Sequence, residues 1–308
     1  MSYKEIASKT AVIITVYNRE DLVKNAVDSI VNQTLRPGGI IVVDDASTDN
    51  SGQAAVDYGD GLVTIITLPV NMGAGIAKRA GFQKAKEMGF EFVMCLDSDD
   101  ILDERAIQAA ASNMEKTDAD MVTFGVIERF VDKNGNKREN NMGVGKDLVI
   151  TKMDDKLSSV TDGLMCVFAN ARLMRIDIVM NPEYSCLRKG EDTESTIWWN
   201  LNSKKISIMK DRLYIYNRHQ NSITLSTRGK INPIELIPFI QLYELAKMMR
   251  SGNVLESLLY TMTHFVEKID NDEMSPYDMF IVNIFKEKFK EVQSILNVNW
   301  INSFRKSK

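Results

Sequence analysis

Several absences narrow this 308-residue chain before any motif is read. It has no basic excess: 38 lysines and arginines against 42 aspartates and glutamates leave a net charge of −4, the wrong sign for a general nucleic-acid binder. Cysteine is scarce and odd in number. Cys95, Cys166 and Cys186 form no Cys-x-x-Cys pair, so neither a disulfide scaffold nor a zinc knuckle is expected, and a reducing compartment is. No run of 18 apolar residues occurs, and MSYKEIASKT at the N-terminus carries no apolar segment of the signal-peptide kind, which disfavours a membrane span and secretion. Internal repeats and low-complexity linkers are also missing. What is present is ordinary: 44% apolar and 26% charged residues are enough for a folded core and argue against global disorder. One large domain with an appendage is expected, in a cytoplasmic globular protein.

Two periodicities alternate over the first 130 residues. AVIITV at 11–16 is a continuous apolar run, as in a strand buried on both faces. In the REDLVKNAVDSIVNQ that follows, Leu22, Val23, Ala26, Val27, Ile30 and Val31 recur at three- and four-residue spacing, one face of an amphipathic helix. The same reading gives strands at 40–44, 62–67 and 92–96, with helices near 50–58 and 75–88. Strands alternating with helices imply parallel pairing through right-handed crossovers, hence an α/β domain whose ligands bind beyond the carboxyl ends of its strands. From about 120 the pattern changes. MVTFGVIERFV runs into DKNGNK, where Asn-Gly suits a hairpin turn. Residues 170–181 and 191–203 read as helices, 206–217 as two short strands, and the text after 231 is almost purely helical.

The strand ends carry the chemistry. Asp44-Asp45-Ala46-Ser47-Thr48-Asp49 follows the second strand and Asp97-Ser98-Asp99-Asp100 the fourth, which brings clustered carboxylates to one rim. Like charges packed together need solvent or a cation to compensate them, and hard oxygen donors at i and i+2 suit Mg²⁺ or Mn²⁺. Taken alone, 97–100 reads equally as a solvated turn capping the next helix. A calcium EF-hand is disfavoured because the glycine at its sixth position is missing. Asn71-Met72-Gly73-Ala74-Gly75 could seat a phosphate at a helix N-terminus, yet it departs from the dinucleotide fingerprint and reads as well as a simple strand-to-helix turn. Lys78 and Arg79 lie on the first turns of that helix, where a solvated face is the default for basic residues.

In combination these segments become specific. Val12-Ile13-Ile14-Thr15-Val16-Tyr17-Asn18-Arg19, then Ile41-Val42-Val43-Asp44-Asp45-Ala46-Ser47-Thr48-Asp49, then Asn71-x-Gly73, then Leu96-Asp97-Ser98-Asp99-Asp100 resemble family 2 glycosyltransferases of the GT-A fold, over about residues 9–225. Gly190-Glu191-Asp192 is similar to the family's Glu-Asp motif. Tyr216-x-x-His219-x-x-Ser222-Ile223-Thr224 is similar to a segment of its bacterial polysaccharide members.

The resemblance implies a GT-A domain over 1–228, with a nucleotide-sugar half at 1–118 and an acceptor half at 119–228, followed by a helical region at 229–308. It implies a nucleotide-sugar donor, a Mn²⁺ or Mg²⁺ ion on the DXD carboxylates, a glycan or lipid-linked acceptor, and inversion at the anomeric carbon. Carried over residue by residue, Asp45 accepts from the base ring while Thr15 and Tyr17 line the nucleoside pocket. Asn71 and Gly73 belong to the phosphate-side turn, and Arg79 lies near the pyrophosphate. Asp97 and Ser98 stand near the ribose and metal. Asp99 is the principal metal ligand, with Asp100 the alternative and His219 at the metal or diphosphate. Asp192 is the catalytic base and Glu191 its fallback. Thr15 stands where the family usually has proline, and Ala80 where many members have asparagine, which weakens the assignment of Arg79.

The chemistry wants these residue types. A sugar hydroxyl is a poor nucleophile until a general base takes its proton, and a departing diphosphate gathers negative charge that a cation offsets. A base on the face opposite the leaving group gives inversion. Acidic residues at a helix start also have a plain explanation, the helix macrodipole, so the Glu-Asp motif is needed to favour catalysis for Asp192. Trp198 and Trp199 read as core, or as a platform for an acceptor sugar; Cys95 and the 17 methionines read as packing. A sugar-phosphate nucleotidyltransferase would need a glycine-rich loop after the first strand, and Tyr17-Asn18-Arg19-Glu20 is none. A non-catalytic scaffold of the same fold would have no use for both acidic motifs. The C-terminal helices could meet the inner face of the membrane, a partner subunit or only each other, and Trp300, Ile301, Phe304, Arg305, Lys306 and Lys308 form a small aromatic-basic tail suited to anionic lipid, although a frayed terminus is the simpler expectation. The oligomeric state is left open.

Overall fold

Strands β1 (Thr10–Val16), β2 (Gly39–Asp44), β3 (Val63–Thr67) and β4 (Phe92–Asp97) pair in parallel in the order β3-β2-β1-β4. The apolar runs of β1, β2 and β4 are continuous because both their faces are covered, while β3 is the half-exposed edge. Side chains alternate across a strand, so Val12, Ile14 and Val16 join Phe92, Met94 and Leu96 in one core, while Ala11, Ile13, Val93 and Cys95 enter another on the opposite face. Helices α2 (Glu20–Val31), α3 (Ser51–Tyr58) and α5 (Ala106–Thr117) close the first face; α4 (Ala74–Glu87) closes the second. A short α1 (Tyr3–Ser8), opened by a capping box at Ser2 and Glu5, precedes β1. The computed structural model describes residues 1–131, 137–143, 145–161, 170–180, 190–218, 232–266, 269 and 274–296.

Beyond β4 the sheet changes character. β9 (Arg172–Arg175) lies antiparallel between β4 and β6 (Met121–Val131), and β6 continues parallel to β10 (Ile206–Arg218). β5 (Ile101–Leu102) and β8 (Leu148–Ile150) pair antiparallel with β10. β7 (Lys137–Met142) returns antiparallel on β6, as a hairpin requires; the intervening Asn-Gly turn lies outside the described residues. Two expectations need correcting. Where one helix is expected over 170–181, the described residues 170–180 hold strand β9 and a single-turn α7 (Ile176–Val179). Leu173 and Met174 favour helices, but this segment gains ladder hydrogen bonds on both edges by sitting between β4 and β6. Residues 206–218 are one strand, not two; its ladder with β6 is irregular between Ile208 and Tyr214, which is where the pattern breaks in the sequence.

The C-terminal helices α9 (Ile237–Met249), α10 (Gly252–Val266) and α11 (Pro276–Ile295), led by a 3₁₀ turn at Pro233–Leu236, pack on α6 (Met153–Thr161) and α8 (Glu191–Asn202). Leu157, Val160 and Ile197 belong to the same core as Phe239, Leu242, Leu258 and Phe285. Among the described residues no helix is long and apolar enough to cross a membrane.

Candidate active site

The carboxyl ends of β1, β2 and β4 form one rim, and strand parity decides which residue points where. Asp44 continues the parity of Ile40 and Val42 and turns toward α3, where its Oδ1 accepts from Ser47 N at 2.8 Å. Asp45, one residue on, faces α4. Its Oδ1 accepts from Met72 N at 2.7 Å and its Oδ2 from Gly73 N at 2.8 Å. The nearly buried carboxylate thus grips the turn that opens α4, where Gly73 has φ 91°, a conformation a side chain would strain. Each oxygen keeps a further lone pair.

The loop after β1 is stitched to the loop after β2. Asn18 N donates to Ser47 Oγ at 3.0 Å, Asn18 Oδ1 accepts from Thr48 N at 2.8 Å, and Arg19 N donates to Ser51 Oγ at 2.8 Å. Tyr17 stands exposed above this lacing, and Thr15 and Asn71 are half-buried beside it. The nucleoside residues Tyr17 and Asp45 thus share one end of the rim with Asn71 and Gly73 of the phosphate-side turn, and Thr15, paired with Asp97 across β1 and β4, lies between the two ends.

At the other end, carboxylates from distant segments meet on one ammonium. Lys78, 3% exposed, places Nζ 3.0 Å from Asp192 Oδ1 and 3.8 Å from Asp97 Oδ1. Asp97 extends the parity of Val93 and Cys95 toward α4, and Asp192 comes from the first turn of α8, where the helix N-terminus also favours negative charge. Burial opposes the lysine's charge, but Asp192, Asp97 and Glu191 outweigh it and hold its pKa well above the ordinary value. Desolvation, with the charge of Asp192 added, pushes Glu191 up to about 7. Desolvation likewise raises Asp97 to about 6: Lys78 pulls it down, while Asp192 and Asp99 push it up.

The acidic turn is held from β10. Tyr214, fully buried, donates its hydroxyl to Asp100 Oδ2 at 2.6 Å and accepts from Asp97 N and Asn170 Nδ2, each at 3.3 Å. Asn217 N donates to Asp100 Oδ1 at 2.8 Å, and Asn217 Nδ2 to Asp99 O at 3.0 Å. Both oxygens of Asp100 are thereby engaged within the chain. Burial and the charges of Asp97 and Asp99 raise its pKa well above the usual carboxylate range. Ser98 is buried and Asp99 half-buried. Among the described residues no three His, Cys, Asp or Glu side chains converge to hold a metal by themselves. Two hard carboxylates beside an open rim fit an ion that completes its shell with water and phosphate oxygens.

The structure brings together Asp97, Asp99, Asp192 and Glu191 at one end of the rim. Arg79, the residue after Lys78, is exposed on α4. His219 lies outside the described residues. Lys78 occupies the position that the sequence reading gave to a solvated side chain. A signal was available, for Gly75, Lys78, Phe82 and Ala85 form the buried stripe of α4, and Arg79 falls off it. Tyr214, Asn217 and Asn170 carried no such signal. Trp199 is fully buried, edge-on to Phe82 at 6.1 Å between ring centroids, so it packs and cannot stack on a sugar. Cys95 is buried as expected, its thiol pushed up to about 12 by desolvation.

Comparison with known proteins agrees with this layout. Residues 11–180, from β1 to just past α7, match the model of the family described as glycosyl transferase family 2. The chain is 27% identical over 220 residues to the glycosyltransferase GlyG of Streptococcus pneumoniae, which covers 69% of this chain and 72% of that protein. It is 26% identical over 247 residues to the GalNAc(5)-diNAcBac-PP-undecaprenol beta-1,3-glucosyltransferase of Campylobacter jejuni, covering 79% and 74%. A crystal structure of S. aureus TarS 1-349 in complex with UDP-GlcNAc superposes with a TM-score of 0.60 at 19% identity, covering 94% of this chain and 74% of that one, and shares its GT-A fold. With the family match spanning more than half its length and the acidic motifs gathered on the expected rim, this chain belongs to glycosyltransferase family 2 and is a glycosyltransferase.

Proposed function

We propose that this enzyme transfers a sugar, with inversion, from a uridine-diphosphate donor to a hydroxyl of a glycan or lipid-linked acceptor. The observation that carries the reading is the meeting of Asp97 and Asp192 on the buried ammonium of Lys78, which sets an acid of the donor rim beside the acids that open α8. Family membership, the UDP-GlcNAc complex of TarS and the undecaprenol-linked substrate named for the Campylobacter relative support the choice of donor and acceptor class.

The nucleoside lies against Tyr17 and Thr15, and Asp45 fixes the 71–73 turn while keeping lone pairs for a ring N–H. Asp97 and Asp99 would hold a Mn²⁺ or Mg²⁺ ion, which when bound supplies positive charge against the departing diphosphate. Asp100 serves this turn as an anchor, because Tyr214 and Asn217 take both its oxygens. The acceptor oxygen forms a bond to the anomeric carbon, the bond from that carbon to the diphosphate breaks, and the hydroxyl proton passes to the Asp192 carboxylate. Lys78 fixes that carboxylate by its Oδ1 and leaves Oδ2 for the hydroxyl. Glu191, titrating at about 7, is the neighbouring group able to take over at neutral pH.

A thermal-shift screen of UDP-sugars with and without Mn²⁺, followed by assay of UDP release, tests the reading. Asp99→Ala should lose the Mn²⁺-dependent shift. Asp192→Asn should keep the shift and lose turnover by roughly 10²–10⁴-fold. Near-normal turnover in Asp192→Asn and Glu191→Gln alike would refute the proposed base.

A further inference from the structure

Helix α8 is clamped from two sides. Asp192 points to Lys78 on α4, and Glu194, two residues on and therefore about 200° around the helix axis, points to α9. There Glu194 Oε1 accepts from Gln241 Nε2 at 2.9 Å. Glu194 is 2% exposed, and among the described residues neither its Oε2 nor the Gln241 Oε1 has a hydrogen-bond partner. One turn earlier, Gly190 adopts φ 79°, and a Cβ there would come within 3.2 Å of Glu235 Cα in the turn that leads into α9. One turn later, Ile197 is buried among Leu236, Phe239 and Leu242. A buried carboxylate with a single neutral partner is costly, and a leucine would fill the same space without that cost. Packing alone does not account for it.

We propose that Glu194 and Gln241 are positioning residues for transfer: their hydrogen bond fixes the rotation of α8 on α9 and so sets the Asp192 carboxylate against the acceptor. The C-terminal helices thereby act as part of the catalytic apparatus. The proposal rests on the reading of Asp192 as base, and displacement of a catalytic group by about 1 Å can cost on the order of 10²-fold in rate.

The test exchanges the pair. Gln241→Glu faces two carboxylates across the contact, while the double variant Glu194→Gln/Gln241→Glu restores one hydrogen bond with donor and acceptor reversed. UDP release should fall at least roughly tenfold in Gln241→Glu while calorimetric affinity for UDP stays within about twofold, and the double variant should return to within about threefold of wild type. Should Gln241→Glu fail to fold, Gln241→Met, similar in volume and without the amide, carries the same expected split between turnover and UDP affinity. Near-normal turnover in the single variant, no recovery in the double variant, or UDP affinity falling in step with turnover would each overturn the proposal. Asp192→Asn and Glu191→Gln measured alongside separate the two readings. Activity in both refutes the base, whereas an inactive Asp192→Asn with an unaffected Gln241→Met refutes only the positioning role.

Discussion

The two ends of the rim are built from different materials. Around Tyr17 and Asp45 the loops are joined by hydroxyls, a side-chain amide and backbone N–H groups, with a carboxylate gripping two amides of a turn. Around Lys78 the partners are charges, with one ammonium facing Asp97 and Asp192 and with Glu191 nearby. The first arrangement holds a shape through directed hydrogen bonds. The second holds a balance, in which removing any member changes what the others experience. The proposed mechanism divides in the same way: the first end has only to be occupied, and the second has to move a proton and meet a departing diphosphate.

The sharpest way to break this contrast is at its cation. Lys78→Met should leave the carboxylates facing one another. We expect a loss of about 1–3 kcal/mol by urea unfolding, less than for a wholly buried pair because both partners are about a third exposed. Tyr17→Ala, at the neutral end, should change stability by no more than ~0.5 kcal/mol in the same measurement. Equal losses would remove the distinction. Tyr214→Phe comes next. It leaves Asp100 Oδ2 buried without its donor and should cost about 1–3 kcal/mol, with a weaker Mn²⁺-dependent shift by the donor; an unchanged melting temperature would show that the acidic turn does not depend on the Tyr214 hydroxyl.

A smaller effect lies in pH. Glu191 titrates higher in the folded protein than in the unfolded chain, so its contribution to stability is complete below about 4.5 and is lost as pH rises through about 7. The melting temperature of wild type relative to Glu191→Gln should fall across that window and level off above it. A difference that stays flat would mean that neither burial nor the Asp192 charge raises Glu191 in the folded protein. The smallest effect is expected at Arg79→Ala, on the exposed face of α4: stability within ~0.5 kcal/mol and donor KM little changed. A large rise in donor KM would restore Arg79 to the diphosphate.

The parallel half was legible because its strands are apolar runs bounded by turn residues, and the chemistry followed from reading the residue after each strand. Lys78 was legible in principle from the phase of α4, and was missed because basic side chains on helices are usually solvated. Strand β9 was not legible, since Arg172-Leu173-Met174-Arg175 has no strand periodicity and is held in place by β4 and β6. Tyr214 was beyond reach for another reason. Its partner Asp100 is 114 residues away, and nothing local marks a tyrosine in an apolar strand as the anchor of a distant turn.

Helix α4 spans both ends of the rim, and this makes it a ruler. Its start is gripped through Gly73 by the residue proposed to meet the base, and Lys78 sits five residues further along, roughly 7.5 Å at 1.5 Å per residue. The span from the turn held by Asp45 to the Lys78 ammonium is thus written in helical pitch and not in loop length. One residue inserted between Gly73 and Lys78 would swing the ammonium by about 100° and put the two halves of the enzyme out of register, while the same insertion at Gly89 would leave the gauge intact.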